Sequence, residues 1–186
     1  MKSFLVLMFA IFLGPSALGQ HQTFAVDRDA SDVRMKLNTT HEIVNGTFHV
    51  ESGSIDFDLT DPHMSGIVVV AAGSGKTGNS SRDKKMNDIL KVDQFTNISF
   101  TPRTYTGTIA PSGDSNIQVS GVFTLLGTPH DLTIPMQIHI AGSKAIAKAQ
   151  FVVPYVQWGV KNPSFLIWKA DNDVSIDLSL VGELAN

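Results

Sequence analysis

The sequence predicts an all-β protein, an antiparallel array of about eight strands with one short helix, and three observations predict it. Apolar and polar residues alternate with a period of two along most of the chain, turn-forming clusters interrupt that alternation at hairpin spacing, and a single segment switches to a helical period. Charged residues make up only 17% of the chain, which leaves the polar strand faces largely to Ser, Thr, Asn and Gln.

The N-terminal residues stand apart from the fold. Lys2 precedes an apolar run from Phe4 to Leu13, followed by Gly14-Pro15 and Ala17-Leu18-Gly19. A membrane-spanning helix needs about 20 apolar residues, so this shorter run with a small-x-small ending reads as a secretory signal peptide over residues 1–19. Cleavage is expected between Gly19 and Gln20, leaving one domain over residues 20–186 with no membrane span, in the periplasm or secreted. The chain has no cysteine, so thiol chemistry, disulfides and a thioether-linked lipid anchor are all excluded.

The strands follow in order. Val33, Met35 and Leu37 alternate with Asp32, Arg34 and Lys36, and Ile55, Phe57 and Leu59 alternate with Asp56 and Asp58. Ile98 and Phe100 alternate with Asn97, Ser99 and Thr101, and Ile117 and Val119 lead towards Phe123. The longest run is Leu132 to Ile140, with every second residue apolar, and Val174, Ile176, Leu178 and Leu180 close the series. Each pattern describes a strand with one buried face. Asn45-Gly46, Ser52-Gly53, Pro111 to Asp114, Ala141-Gly142-Ser143 and Asp171 to Asp173 read as the turns between them. Pro135 has no amide hydrogen to give a ladder, so it marks an edge, a bulge or a bend in its strand.

The helical segment is Arg82 to Lys91. Met86, Ile89 and Leu90 fall at i, i+3 and i+4, Asn79 to Ser81 offer N-caps, and Asp83 sits near the positive end of the helix dipole. Its apolar stripe needs a surface to cover, and the mouth of the β structure is the natural one. Arg82 reads as an ion-pair or capping residue that fixes this lid. A sheet of this size with one apolar face needs closure or a second layer, so a barrel and a two-sheet sandwich both satisfy the pattern. At about eight strands a barrel interior is either filled by side chains or wide enough for one small ligand.

Candidate chemistry is sparse. Gly73-Ser74-Gly75-Lys76-Thr77 lacks the first glycine of a phosphate loop, since Val70 stands in its place. His41-Glu42-Ile43-Val44-Asn45 lacks the second histidine of a zinc helix, and Asp171-Asn172-Asp173 lacks the glycine and distal glutamate of a calcium loop. His139 falls on a polar strand face, and His49, His63 and His130 fall at or near turns, so all four read as solvated. Asp56 and Asp58 lie on a wet face and make no catalytic dyad. No Gly-x-Ser-x-Gly elbow is present. The net charge of −3 gives no footprint for nucleic acid. The reading is a binding protein rather than an enzyme, with neither metal nor cofactor.

From Phe24 onward the chain resembles the YceI-like family of bacterial periplasmic polyisoprenoid-binding proteins. The resemblance is carried by Phe24-Ala25-Val26-Asp27 with Ser31-Asp32-Val33, and by His41 with Gly46-Thr47-Phe48. Its most specific stretch joins Thr77-Gly78-Asn79 and Arg82-Asp83 to Phe95-Thr96-Asn97-Ile98-Ser99-Phe100. Later come Gly121 to Gly127, Val153-Pro154-Tyr155, Trp158-Gly159 and Lys161-Asn162-Pro163-Ser164. Family members often carry histidine where this chain has Lys85 and Leu126, so no role tied to those imidazoles transfers.

The resemblance implies an extended lipocalin-like barrel that takes a long isoprenoid chain, such as a quinone tail or polyprenyl lipid, for transport or storage. The cavity lining expected on that basis is Phe57, Phe100, Phe123, Met136, Tyr155, Trp158, Phe165 and Trp168, under a lid carrying Arg82, Asp83, Met86, Ile89 and Leu90. The competing expectation is an envelope stress or scaffold protein whose filled barrel acts through its surface. Homodimerisation stays open.

Overall fold

The alternating runs lie in strands of one antiparallel sheet that closes on itself. In the computed structural model, which describes residues 21–165 and 167–185, nine strands run in the order β1 His21–Asn38, β2 Ile43–Phe48, β3 Val50–Asp58, β4 Met64–Ala71, β5 Asn97–Gly107, β6 Gly113–Leu125, β7 Thr128–Ala141, β8 Lys144–Val153 and β9 Val174–Ala185. The apolar run of residues 4–13 and the expected cleavage point lie outside the described residues. Each strand from β3 to β9 pairs with the next, and β1 pairs with both β3 and β9, which closes a barrel of eight strands. Strand β2 lies end to end with β3, separated by His49, and pairs with Val33–Asn38 of β1. The barrel solves the edge problem by closure, which settles the choice against a sandwich.

The 18-residue β1 keeps its inward face through a bulge. Its register with β9 shifts between Asp27 and Asp32. Asp27 Oδ1 accepts from the amides of Asp29 and Ala30, while Ser31 Oγ accepts from the Val181 amide at 3.0 Å and donates to the Asp27 carbonyl. These bonds absorb the extra residues without orphaning backbone groups.

Two expected turns lie inside strands instead. Asn45-Gly46 is within β2 and Ser52-Gly53 within β3. Both glycines are there for close approach: a Cβ on Gly53 would lie 2.6 Å from Val26 Cγ2, and one on Gly46 would press on Met35 and the Lys76 carbonyl at 3.2 Å. Proximity to a neighbouring element imitates a turn signal, because glycine serves both needs.

Pro135 pairs with Gln118 of β6, and the β7–β8 ladder begins only at Met136↔Ala149. The proline therefore stands where β7 becomes an edge on its β8 side, and its missing amide hydrogen costs no ladder bond.

The bottom of the barrel, where β3, β5, β7 and β9 end, is sealed. Ile109 from the β5–β6 loop is buried in the core, the Ser115 hydroxyl accepts from the Ala110 amide at 2.9 Å, and the Tyr105 hydroxyl donates to the Asp58 carbonyl at 2.8 Å. At the top lie the β1–β2 turn, the helix α1 over Ser80–Leu90, the β6–β7 turn and the long β8–β9 connection. Asn79 caps α1, its side chain accepting from the amides of Ser81 and Arg82, and Lys91 ends it in the left-handed region at φ 50°.

Candidate ligand-binding site

Inward-facing side chains of all eight barrel strands surround a central cavity of about 170 Å³ whose lining, apart from Ser99, is hydrocarbon, thioether or aromatic ring. The room comes from β8, where Ala145 and Ala147 line the cavity and Ala149 continues the same buried face before Phe151 closes it. Three successive alanines recess one wall, where larger side chains would meet those opposite. Above this lies a wider cavity of about 590 Å³, bounded by the top of the barrel, α1 and the β8–β9 connection. Phe48, Ile98, Phe123 and Ile176 border both spaces and form the neck between them.

The expected lining residues divide into three groups. Phe57, Phe100, Phe123 and Met136 line the inner cavity, while Tyr155 and Trp168 border the upper one. Trp158 and Phe165 border neither. Trp158 stacks on His130 with ring centroids 4.3 Å apart and leans on Phe123 at 5.6 Å, and Phe165 projects into solvent.

His130 also departs from expectation. It pairs with Phe123 across the β6–β7 ladder and so shares its inward face, half-buried with an unpartnered Nε2. The neighbouring two-residue turn hid this, because strand alternation continues to the first residues after it.

Of the lid residues, Arg82, Met86, Ile89 and Leu90 border the upper cavity. Asp83 is buried behind them, anchoring the helix to the preceding loop. The hydroxyl and amide of Thr77 each donate to its Oδ1 at 2.7 Å. The Thr77 hydroxyl is the main reason its carboxyl stays below the usual range, with the amide, Lys76 and Arg82 acting in the same direction against burial. Arg82 does not pair with Asp83; its Nη1 meets Glu42 Oε1 at 3.0 Å, tying the lid to the β1–β2 turn. Gly75 completes the seat, since a Cβ there would lie 2.3 Å from Met86 Cε and 2.8 Å from a Phe48 ring carbon. The glycine-rich run that imitates a phosphate loop is thus a packing device.

Tyr155 fixes the other side of the mouth. Its hydroxyl donates to the Asp171 carbonyl at 2.6 Å, and burial, reinforced by the carboxylates of Asp171 and Asp173, pushes the phenol up to about 12. The charged residues bordering the upper cavity are Glu42, Arg82, Lys85, Lys161 and Lys169. The alternation pattern missed these lysines and Phe48, because a mouth is assembled from loops and strand ends, and it gave Ile98 an inward face without its place at the mouth. No group of three or more His, Asp or Glu side chains converges among the described residues.

A closed antiparallel barrel with a hydrocarbon interior, one sealed end and a helix beside its mouth belongs to the lipocalin-like class of hollow barrels. The model of the YceI-like domain matches residues 24–182, and the chain belongs to that family. Its fold is similar to that of a polyisoprenoid-binding domain from Saccharophagus degradans implicated in plant cell wall breakdown, at TM-score 0.69 and 15% identity over 87% of this chain and 98% of that one. It is also similar to BcnA of Burkholderia cenocepacia, at TM-score 0.67 and 17% identity over 84% and 99% of the two chains. The YceI protein of Campylobacter jejuni follows at TM-score 0.61 and 18% identity over 75% and 84%. No curated protein sequence matches the chain significantly.

Proposed function

We propose that this protein holds one isoprenoid or similarly long apolar lipid inside its barrel, for transport or storage after export to the periplasm or beyond. The observation that carries the reading is the adjacency of the two cavities: a narrow hydrocarbon cavity lies below a wider mouth, and Phe48, Ile98, Phe123 and Ile176 border both. A long thin tail fits such a cavity, and a bulkier head group fits the mouth. The structural neighbour that binds polyisoprenoids supports the same class of ligand. The apolar run at residues 4–13 supports export.

Binding here is burial, and no catalytic group takes part. At about 0.3 kcal/mol per heavy atom, a tail of about 30 carbons gains roughly 9 kcal/mol, a sub-micromolar dissociation constant. Fixing the head group falls to the polar rim.

The test is organic extraction of freshly purified protein followed by mass spectrometry, then titration with a long-tailed isoprenoid quinone. One apolar lipid per chain is expected. A guanidinium in the neck, with Phe123→Arg, abolishes uptake while the barrel remains folded by circular dichroism. Wild-type protein that carries no lipid and takes none up refutes the reading and leaves the surface-acting scaffold in its place.

A further inference from the structure

We propose that the tip of the β8–β9 connection, with the lysines beside it, docks the mouth of the barrel onto the surface of an anionic phospholipid bilayer. The tip is apolar where a soluble loop is ordinarily polar: Phe165 is 70% exposed, Ile167 71% and Trp168 49%. Singly exposed apolar residues are commonplace, but three within four positions of one loop form a patch.

The patch is held in place, not left to collapse. Phe165 and Trp168 exchange two backbone hydrogen bonds, each of 2.9 Å, forming a tight hairpin. The hairpin is stitched to the β1–β2 turn: the Thr40 amide donates to the Lys169 carbonyl at 2.9 Å, the Lys169 amide donates to Thr40 Oγ1 at 3.2 Å, and that hydroxyl donates to the Ile167 carbonyl. His41 of the same turn packs on Trp168, with ring centroids 4.1 Å apart. A prearranged projection loses little conformational freedom on binding a surface.

Charge complementarity identifies the surface. The upper cavity is bordered by four cationic side chains and one carboxylate, and that carboxylate, Glu42, is paired with Arg82. Lys85, Lys161 and Lys169 form no ion pair among the described residues. Counting the Asp171 and Asp173 carboxylates that act on Tyr155 together with Glu42, the four cations still leave the mouth a positive excess of one on a chain of net charge −3, and Lys85, Lys161 and Lys169 carry it beside the apolar tip. Aromatic and aliphatic side chains flanked by lysines are the composition that seats in the head-group boundary of an anionic bilayer. Trp168 and Lys169 border the upper cavity, so docking here faces the mouth towards the bilayer.

The docking proposal concerns the rim, and its test contains no isoprenoid, so it stands or falls apart from the ligand of the cavity. Protein beginning at Gln20, which retains every strand of the barrel, is floated with phosphatidylcholine vesicles with and without phosphatidylglycerol. Flotation that requires phosphatidylglycerol and is lost at high salt is expected. In a Trp158→Phe background the fluorescence of Trp168 should shift to the blue on contact.

The paired change Phe165→Ser with Ile167→Ser should weaken flotation about tenfold or more. Changing Lys85, Lys161 and Lys169 to Gln should remove its dependence on phosphatidylglycerol. Unchanged thermal unfolding of both variants keeps a folding defect out of the result. No flotation at any phosphatidylglycerol content overturns the proposal. So does flotation that ignores the serine changes, or a dimer that those changes dissolve without any vesicle binding.

Discussion

Ala147 lies midway along the recessed wall of β8, paired with Ile138 of β7 and Leu180 of β9, and all three side chains line the inner cavity. Ala147→Leu adds three carbons at a point where about 170 Å³ is available to receive them. At about 0.8 kcal/mol per buried methylene, the added contact stabilises the ligand-free barrel by up to about 2 kcal/mol. Crowding offsets part of this, since overpacking a core costs about 1–3 kcal/mol. Ligand binding moves the other way. The added side chain blocks the inner cavity above the level of Ala145 and Ile140, and at about 0.3 kcal/mol per atom, the exclusion of about ten carbons costs about 3 kcal/mol, more than a hundredfold in affinity.

The assay is titration with isoprenoid quinones of graded tail length, alongside thermal unfolding without ligand. Long tails should bind Ala147→Leu far more weakly than wild type, and tails too short to pass that level should bind both alike. Lys148→Leu, one residue on and facing outward, should change neither. If long tails bind Ala147→Leu as tightly as wild type, the tail does not occupy the inner cavity and the argument from the alanine row is wrong.

Three further outcomes follow from local chemistry. Lys91 holds the left-handed conformation at φ 50° while exposed, so Lys91→Gly should raise stability by about 1 kcal/mol, a rise of about 2–4 °C in the unfolding midpoint by calorimetry. The phenol of Tyr155 is raised to about 12 from an unfolded value of about 10, so its stabilising contribution is complete below pH 10 and is lost as the pH climbs towards 12; ionisation near 10 in the folded protein, read by phenolate absorbance, would contradict this. The Asp83 carboxyl is lowered from 3.8, so its contribution is complete above that value and is lost as the pH falls below it. Asp83→Asn should therefore flatten the acid side of the stability profile and speed amide exchange across α1.

How much of this was legible in the sequence depends on where a residue sits. The strands read directly because their side chains alternate against a single closed core: Ile134, Met136, Ile138 and Ile140 lie on the inward face of β7. Helix α1 read from its cap and its stripe. The glycines of β2 and β3 misled, since the partners that require them, Val26 for Gly53 and Met35 with Lys76 for Gly46, are distant in sequence. The hollow was hidden for the opposite reason: a run of alternating alanines in Lys144–Val153 looks like weak strand, and its meaning depends on which larger side chains face it. Among the aromatic residues, Trp158 and Phe165 were expected in the lining and border neither cavity, whereas Trp168 borders the upper one. Trp158, Phe165 and Trp168 all lie in the β8–β9 connection, where no period tells an inward residue from an outward one.

That connection also determines where the barrel wall is weakest. β7 and β8 stay paired only from Ala141↔Lys144 to Met136↔Ala149, after which Thr128–Pro135 pairs with β6 alone and Gln150–Val153 with β9 alone. Across the separation, ring contacts supply the link: Phe151 of β8 meets Phe123 edge-on at 6.4 Å, and Trp158, just beyond β8, stacks on His130 of β7 at 4.3 Å. Aromatic contacts of about 0.5–1.5 kcal/mol each do not replace a row of backbone hydrogen bonds, and they part without orphaning amides and carbonyls. Pro135 marks the start of this stretch, where an amide on the β8 side would have no partner strand. The sealed end is built on the other plan: Ser115 and Tyr105 bond to backbone, and Ile109 fills the floor. Backbone-anchored closure thus lies at the floor of the inner cavity, and the joint held by side chains alone lies beside Phe123, one of the residues that border both cavities.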